Sequence, residues 1–184
     1  MGRKLKIFLG DLSYINEENR FNLFVPLNIG YIAAYANKVF GNQIEVKLFK
    51  DPNKLLQELV IEEPDVLGLS FSYWNTKLNH VISRKAKQIL GNNITTVWGG
   101  PSVDTDSNQQ RGLFRRFPYV DAFVTNEGEL GFANLIEKRL AENTHEMWTN
   151  PINGIVHMNE GELIKGINVG LSLDLTTLDS PYLT

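Results

Sequence analysis

Glu63-Pro64-Asp65-Val66-Leu67-Gly68-Leu69-Ser70-Phe71-Ser72-Tyr73-Trp74-Asn75 is the stretch from which the rest of the chain is read. Val66 to Phe71 is a short apolar run set off by a proline, the pattern of a strand buried on both faces. The strand pattern then breaks. Ser70, Ser72 and Asn75 bring small polar groups, and Tyr73 and Trp74 two large aromatics, to the strand's carboxyl end before a helix starts at about Thr76. In an open α/β sheet that end is where ligands sit.

One unit downstream, Thr95 to Trp98 reads as another buried strand and stops on Gly99-Gly100-Pro101. Paired glycines at a strand end form a tight turn or let a ligand approach the backbone with no Cβ in the way. Residues 73 to 98 separate Ser72 from Gly99, which is 26 residues, enough for one helix and one strand. The spacing sets the serines and the glycines on adjacent strand ends, lining one crevice.

Outward from this pair the chain alternates. Leu5 to Leu9 is the first strand, ending on Gly10-Asp11. Residues 11 to 25 are long for a strand–helix connection, usually about 2–6 residues, and carry Tyr14, Phe21, Phe24 and Val25, as a covering loop would. Pro26 opens a helix to about Phe40, stopped by Gly41-Asn42. Ile44 to Phe49 is the second strand, and Pro52 opens a helix to about Glu63. Thr76 to Leu90 has the apolar spacing of a helix covering a sheet. Leu113, Phe114 and Phe117 read as a short or partly irregular helix, Val120 to Val124 is the fifth strand, and a helix follows Asn126-Glu127-Gly128-Glu129 to about Glu142. Five strands alternating with helices predict a Rossmann-like (flavodoxin-like) α/β fold: a five-stranded parallel sheet in the order 2-1-3-4-5, with helices on both faces. Gly154 to Met158 and Leu163 to Gly166 flank a turn and form a small C-terminal β-hairpin. The expected division is 1–145 for this domain and 146–184 for hairpin and linker.

Bulk properties narrow the class. The 184 residues are 42% hydrophobic with a formal net charge of -3, an ordinary globular composition with room for a real core. No basic stripe points to nucleic acid, and no apolar run reaches the roughly 20 residues of a membrane span. The strand beginning directly after Met1-Gly2-Arg3-Lys4 leaves no secretory signal, so the expected location is cytoplasmic. With 0 cysteines the chain forms no disulfide and holds no iron–sulfur cluster on thiolates.

Ser70, Ser72 and Gly99-Gly100 resemble two of the three signature pieces of cobalamin-binding domains, whose serine and glycines line a slot for the nucleotide tail. Pro26 to Tyr35, Pro64 to Phe71, Tyr73-Trp74-Asn75, Val97 to Pro101, Val120-Asp121-Ala122 and Glu127-Gly128-Glu129 are together similar to the N-terminal domain of cobalamin-dependent radical S-adenosylmethionine enzymes. That resemblance covers essentially the whole chain. It implies a corrinoid held at the strand carboxyl ends, its tail between the third and fourth strands, in a methyltransferase. Ser70, Phe71, Ser72, Tyr73, Trp74, Asn75, Gly99, Gly100, Pro101, Glu127 and Gly128 are the implied cofactor contacts, with no catalytic residue and no metal ligand. S-adenosylmethionine and an iron–sulfur cluster would belong to a radical S-adenosylmethionine barrel following the linker.

The third signature piece departs. Many such domains carry Asp-x-His-x-x-Gly after the first strand, the histidine ligating cobalt; here Asp11-Leu12-Ser13-Tyr14-Ile15-Asn16 puts Ser13 in its place. His80, His145 and His157 fall away from strand ends and are expected to be solvated or packed at the surface. No metal-ligand spacing is present. Tyr73 and Trp74, being adjacent, cannot both face one core, so one of them flanks the ligand. Glu127 and Glu129 either complement a helix dipole or accept hydrogen bonds from corrinoid amides or ribose hydroxyls. Two alternatives remain: a flavodoxin-like nucleotide-binding or interaction domain without cobalamin, and a corrinoid shuttle protein. Gly10-Asp11-Leu12-Ser13 is too poor in glycine for a phosphate loop, and the missing histidine and linker-like tail disfavour the shuttle.

Overall fold

A computed structural model describes residues 3–14, 25–142, 144, 146–169 and 180–182. Phe21, Phe24, His145 and residues 170–179 of the linker lie outside that range. The strands are β1 (Leu5–Gly10), β2 (Ile44–Phe49), β3 (Val66–Ser70), β4 (Thr95–Gly99), β5 (Ala122–Val124), β6 (Ile155–Asn159) and β7 (Glu162–Lys165). The helices are α1 (Leu27–Phe40), α2 (Pro52–Glu62), α3 (Thr76–Leu90), α4 (Ser107–Arg116) and α5 (Gly128–Ala141).

All strands join one sheet in the order β2-β1-β3-β4-β5-β6-β7. Its first five members run parallel in the predicted order. The hairpin is not a free appendage. β6 pairs antiparallel with β5, and β7 with β6, so the hairpin lengthens the sheet to seven strands. Its turn is Glu160-Gly161, both at positive φ, the two-residue connection whose twist suits a hairpin.

Alternation along each strand divides the core in two. Leu9, Val66, Val97, Ala122 and Val124 face α1 and α5, packing with Ile29, Ala33, Ala36, Phe132, Leu135 and Ile136. Phe8, Leu67, Leu69, Trp98 and Phe123 face the other way, onto Leu55 and Leu59 of α2, Ile82 and Ala86 of α3, and Phe117. At the amino-terminal edge two aspartates tie neighbouring strands. Asp65 accepts the Lys6 amide at 2.8 Å, and Asp121 accepts the Thr96 amide at 2.7 Å. The parallel strands are thereby tied in register at the end opposite their carboxyl termini.

Candidate functional site

The strand carboxyl ends open on the α1/α5 side into a cleft of about 460 Å³. Its floor is made of residues that are small because of their face. Gly68 and Ser70 are two apart on β3, and Gly99 pairs with Ser70 across the β3–β4 ladder. One wall is the start of α1, with Asn28, Ile29 and Ile32; the other is the start of α5, with Glu127, Gly128, Glu129 and Phe132. Trp74 and Pro101 stand at the mouth.

Of the residues predicted from sequence, Ser70, Ser72, Trp74, Gly99, Gly100, Pro101, Glu127 and Gly128 line this cleft. Phe71 does not. It follows Ser70 by one residue, so it points through the sheet into the opposite core, its ring 4.9 Å from Trp98 and 6.0 Å from Phe117. Tyr73 is 89% exposed and Trp74 70%, so neither is a core aromatic, and only Trp74 reaches the cleft. Asn75 is wholly buried and structural. Its Oδ1 accepts the Ser72 amide at 2.9 Å, and its Nδ2 donates to the Ser70 carbonyl at 2.8 Å. Ser72 reciprocates as the cap of the following turn. Asn79 also donates to the Ser70 carbonyl, at 2.8 Å, so α3 fixes the end of β3 from behind.

The two glycines have different reasons. Gly100 sits at φ +140, and a Cβ there would lie 2.6 Å from the Phe71 carbonyl oxygen. It is glycine for the turn's sake. Gly99 has ordinary φ, and its Cβ would lie 3.1 Å from Cβ of Val124 on the cleft side. That position bares the floor.

Sequence reasoning missed Gly68, Asn28 and Asn126 as lining residues. Asn126 holds a left-handed φ of 57, which asparagine tolerates, and bonds the Asn168 side chain. Its place before Glu127-Gly128-Glu129 was the available signal. Ser13, standing for the missing histidine, is half-buried, and its Oγ has no hydrogen-bond partner among the described residues. His80 packs on Phe117 and Tyr119 at 5.7 and 5.8 Å. His157 corrects the expectation of a surface histidine: it lies fully buried in β6 against Trp148, and burial pushes its pKa below the usual imidazole value. Tyr182 donates to the Pro26 carbonyl at 3.2 Å, bringing the chain's last described segment back to the start of α1. Burial, with Asp11 nearby, raises its phenol pKa. Among the described residues no cluster of three His, Asp or Glu could hold a metal, and no helix is long and apolar enough to cross a membrane.

No protein-family model matches the chain. Over 166 residues, 87% of this chain and 23% of the relative, it is 31% identical to the cobalamin-dependent radical SAM methyltransferase TokK of Streptomyces tokunonensis. Over 123 residues, 65% of this chain and 18% of the relative, it is 32% identical to a 2-(S-pantetheinyl)-carbapenam-3-carboxylate methyltransferase of Streptantibioticus cattleyicolor. The chain thus spans about a quarter or less of the length of these curated relatives. In fold it resembles a cobalamin-binding protein of Desulfitobacterium hafniense, with a TM-score of 0.55 and 15% identity, over 75% of this chain and 60% of that one.

Proposed function

We propose that this chain, a sequence relative of cobalamin-dependent radical S-adenosylmethionine methyltransferases, is a cobalamin-binding domain that takes the nucleotide tail of the corrinoid into the α1/α5 cleft. The observation that carries this reading is the cleft floor: Gly68, Ser70 and Gly99 place no large side chain where the rest of the same core packs, with Leu9 and Val124 close beside the two glycines. The cleft fits the group chemically. Its apolar walls of Ile29, Ile32, Val124 and Phe132 suit a flat aromatic base, while Ser70, Glu127 and Glu129 offer polar partners for base, ribose or amide groups.

Bound corrinoid supplies methyl-carrying cobalt chemistry; the chain supplies position and axial environment. Ser70 and the α1 wall grip the tail, Trp74 shields apolar surface at the mouth, and Gly100 with Pro101 shapes the turn beneath. Of the described histidines neither His80 nor His157 lines the cleft, and Ser13 stands where the family carries its histidine, so no described imidazole would be in place to ligate cobalt. Cobalt(II) paramagnetic resonance without axial nitrogen splitting is the expected signature, and such splitting would count against it.

In the larger enzyme, S-adenosylmethionine and an iron–sulfur cluster would belong to a separate radical S-adenosylmethionine domain reached through residues 167–184, in the cytoplasm. Having 0 cysteines, this chain alone releases neither methionine nor 5′-deoxyadenosine from S-adenosylmethionine under reductant. The direct test of binding is an absorption spectrum after incubation with hydroxocobalamin and desalting. Corrinoid bands co-eluting with the chain near equimolar amounts are expected; a folded chain free of corrinoid would refute the reading.

A further inference from the structure

We propose that Asn28 sets the hydrogen-bond polarity of Ser70, so that the cleft selects corrinoids whose tail base offers an acceptor nitrogen. This rests on the cobalamin reading above and goes beyond it by specifying the ligand's lower end.

The Asn28 carboxamide is held in one orientation. Its Oδ1 accepts the backbone N–H of Ile29 at 2.8 Å, and a backbone amide can only donate. The group left to face Ser70 is therefore Nδ2, which donates to the Ser70 Oγ at 2.7 Å. Ser70 is 8% exposed, and its hydroxyl oxygen is thus already accepting. Its own proton must point elsewhere, because the Asn28 nitrogen has no lone pair to receive it. The backbone offers no alternative nearby: the Ser70 carbonyl is already taken by the Asn75 and Asn79 side chains, at 2.8 Å each. Among the described residues the structure gives the Ser70 hydroxyl no acceptor. The cleft it lines is the remaining direction.

A ligand seated on this floor meets an O–H donor in a largely apolar surround. One that presents an unprotonated ring nitrogen completes the chain Asn28 to Ser70 to ligand. One that presents only carbon there leaves a buried donor unsatisfied, which costs more than the bond itself is worth. Benzimidazole and purine lower bases carry such a nitrogen; a phenol lower base does not. Asn28 is a positioning residue in this scheme, acting through Ser70.

The test measures dissociation constants by equilibrium dialysis for three probes: cobalamin, a corrinoid with a phenol lower base, and cobinamide, which has no base. The wild-type chain should bind cobalamin about three- to tenfold more tightly than the phenol analogue, the range of one net hydrogen bond. In Asn28→Asp the carboxylate still accepts the Ile29 amide but draws in the Ser70 proton, so the preference should collapse to near unity while the fold persists. Ser70→Ala should collapse the same ratio by removing the donor, which covers the case in which Asn28→Asp does not fold. Equal wild-type affinity for cobalamin and its phenol analogue, or a preference that survives both substitutions, overturns the proposal and leaves cobalamin binding standing. Failure of the wild-type chain to bind any of the three overturns both.

Discussion

The two faces of the sheet are built from the same strands and end differently. Toward α2 and α3, successive strands present Phe8, Leu69 with Phe71, Trp98 and Phe123, and these rings pack with Phe49, Phe114 and Phe117 into a filled aromatic core. Toward α1 and α5 the alternate positions are Leu9, Gly68 with Ser70, Val97 with Gly99, and Val124. Ser70 against Phe71, and Gly99 against Trp98, are single-residue steps between full and empty. A protein interior tolerates few voids, so an absence of side chain confined to one face at the strands' carboxyl ends is a site held open. The filled face bears the stability, and the open face is the one proposed to take the ligand.

Breaking the filled face should have the largest effect. Trp98→Ala removes a fully buried ring and leaves the Ser83 hydroxyl without its 2.9 Å donor, and should cost about 3–5 kcal/mol in denaturant unfolding. Next is the junction of the two faces. Gly100→Leu forces a side chain onto a φ of +140 and into the Phe71 carbonyl, and should cost about 2–3 kcal/mol by the same measurement. A Gly100→Leu protein of wild-type stability would mean that this turn has freedom the backbone geometry denies it.

The bracket behind the open face should give a smaller loss. Asn75→Ala removes the partners of the Ser72 amide and one of two donors to the Ser70 carbonyl, costing about 1–2 kcal/mol and loosening the floor. The smallest effect is a pH slope at the hairpin. Burial depresses the pKa of His157, so below about 6.5 the unfolded chain takes up a proton that the folded chain refuses, and stability falls as pH drops. No such loss arises from this residue above that pH. His157→Gln should flatten the acid slope by at most about 1.4 kcal/mol per pH unit, measured as unfolding free energy from pH 7 to 5.

Most of the fold was legible because it is written in local periodicity. Val66-Leu67-Gly68-Leu69-Ser70, the proline openings and the glycine stops mark β3 and the helices to within a residue or two. The crevice was legible from the spacing of Ser70 to Gly99. Which candidates share a face was not, for alternation separates Phe71 from Ser70 only once the helices are assigned to sides. The hydrogen bond from Asn28 to Ser70 spans 42 residues and has no local signature. Gly100 carries the same letter as Gly99, but only φ tells a turn glycine from a floor glycine. The hairpin's turn could be read from Glu160-Gly161; its pairing with β5 depends on contacts such as Phe123 with Val156, which no spacing encodes.

Gly99 offers the most direct measurement, because it lines the cleft, has ordinary φ, and the nearest atoms a Cβ there would meet belong to Val124. Gly99→Leu should fill the cleft at a modest cost in unfolding free energy, since its Cβ would press on the Val124 side chain at 3.1 Å while the rest of the side chain enters the cleft. The dissociation constant for cobalamin, measured on the same folded preparation, should rise at least about tenfold, the equivalent of 1.4 kcal/mol. A stably folded Gly99→Leu chain that binds cobalamin as tightly as wild type would contradict the assignment of the α1/α5 cleft as the cofactor site.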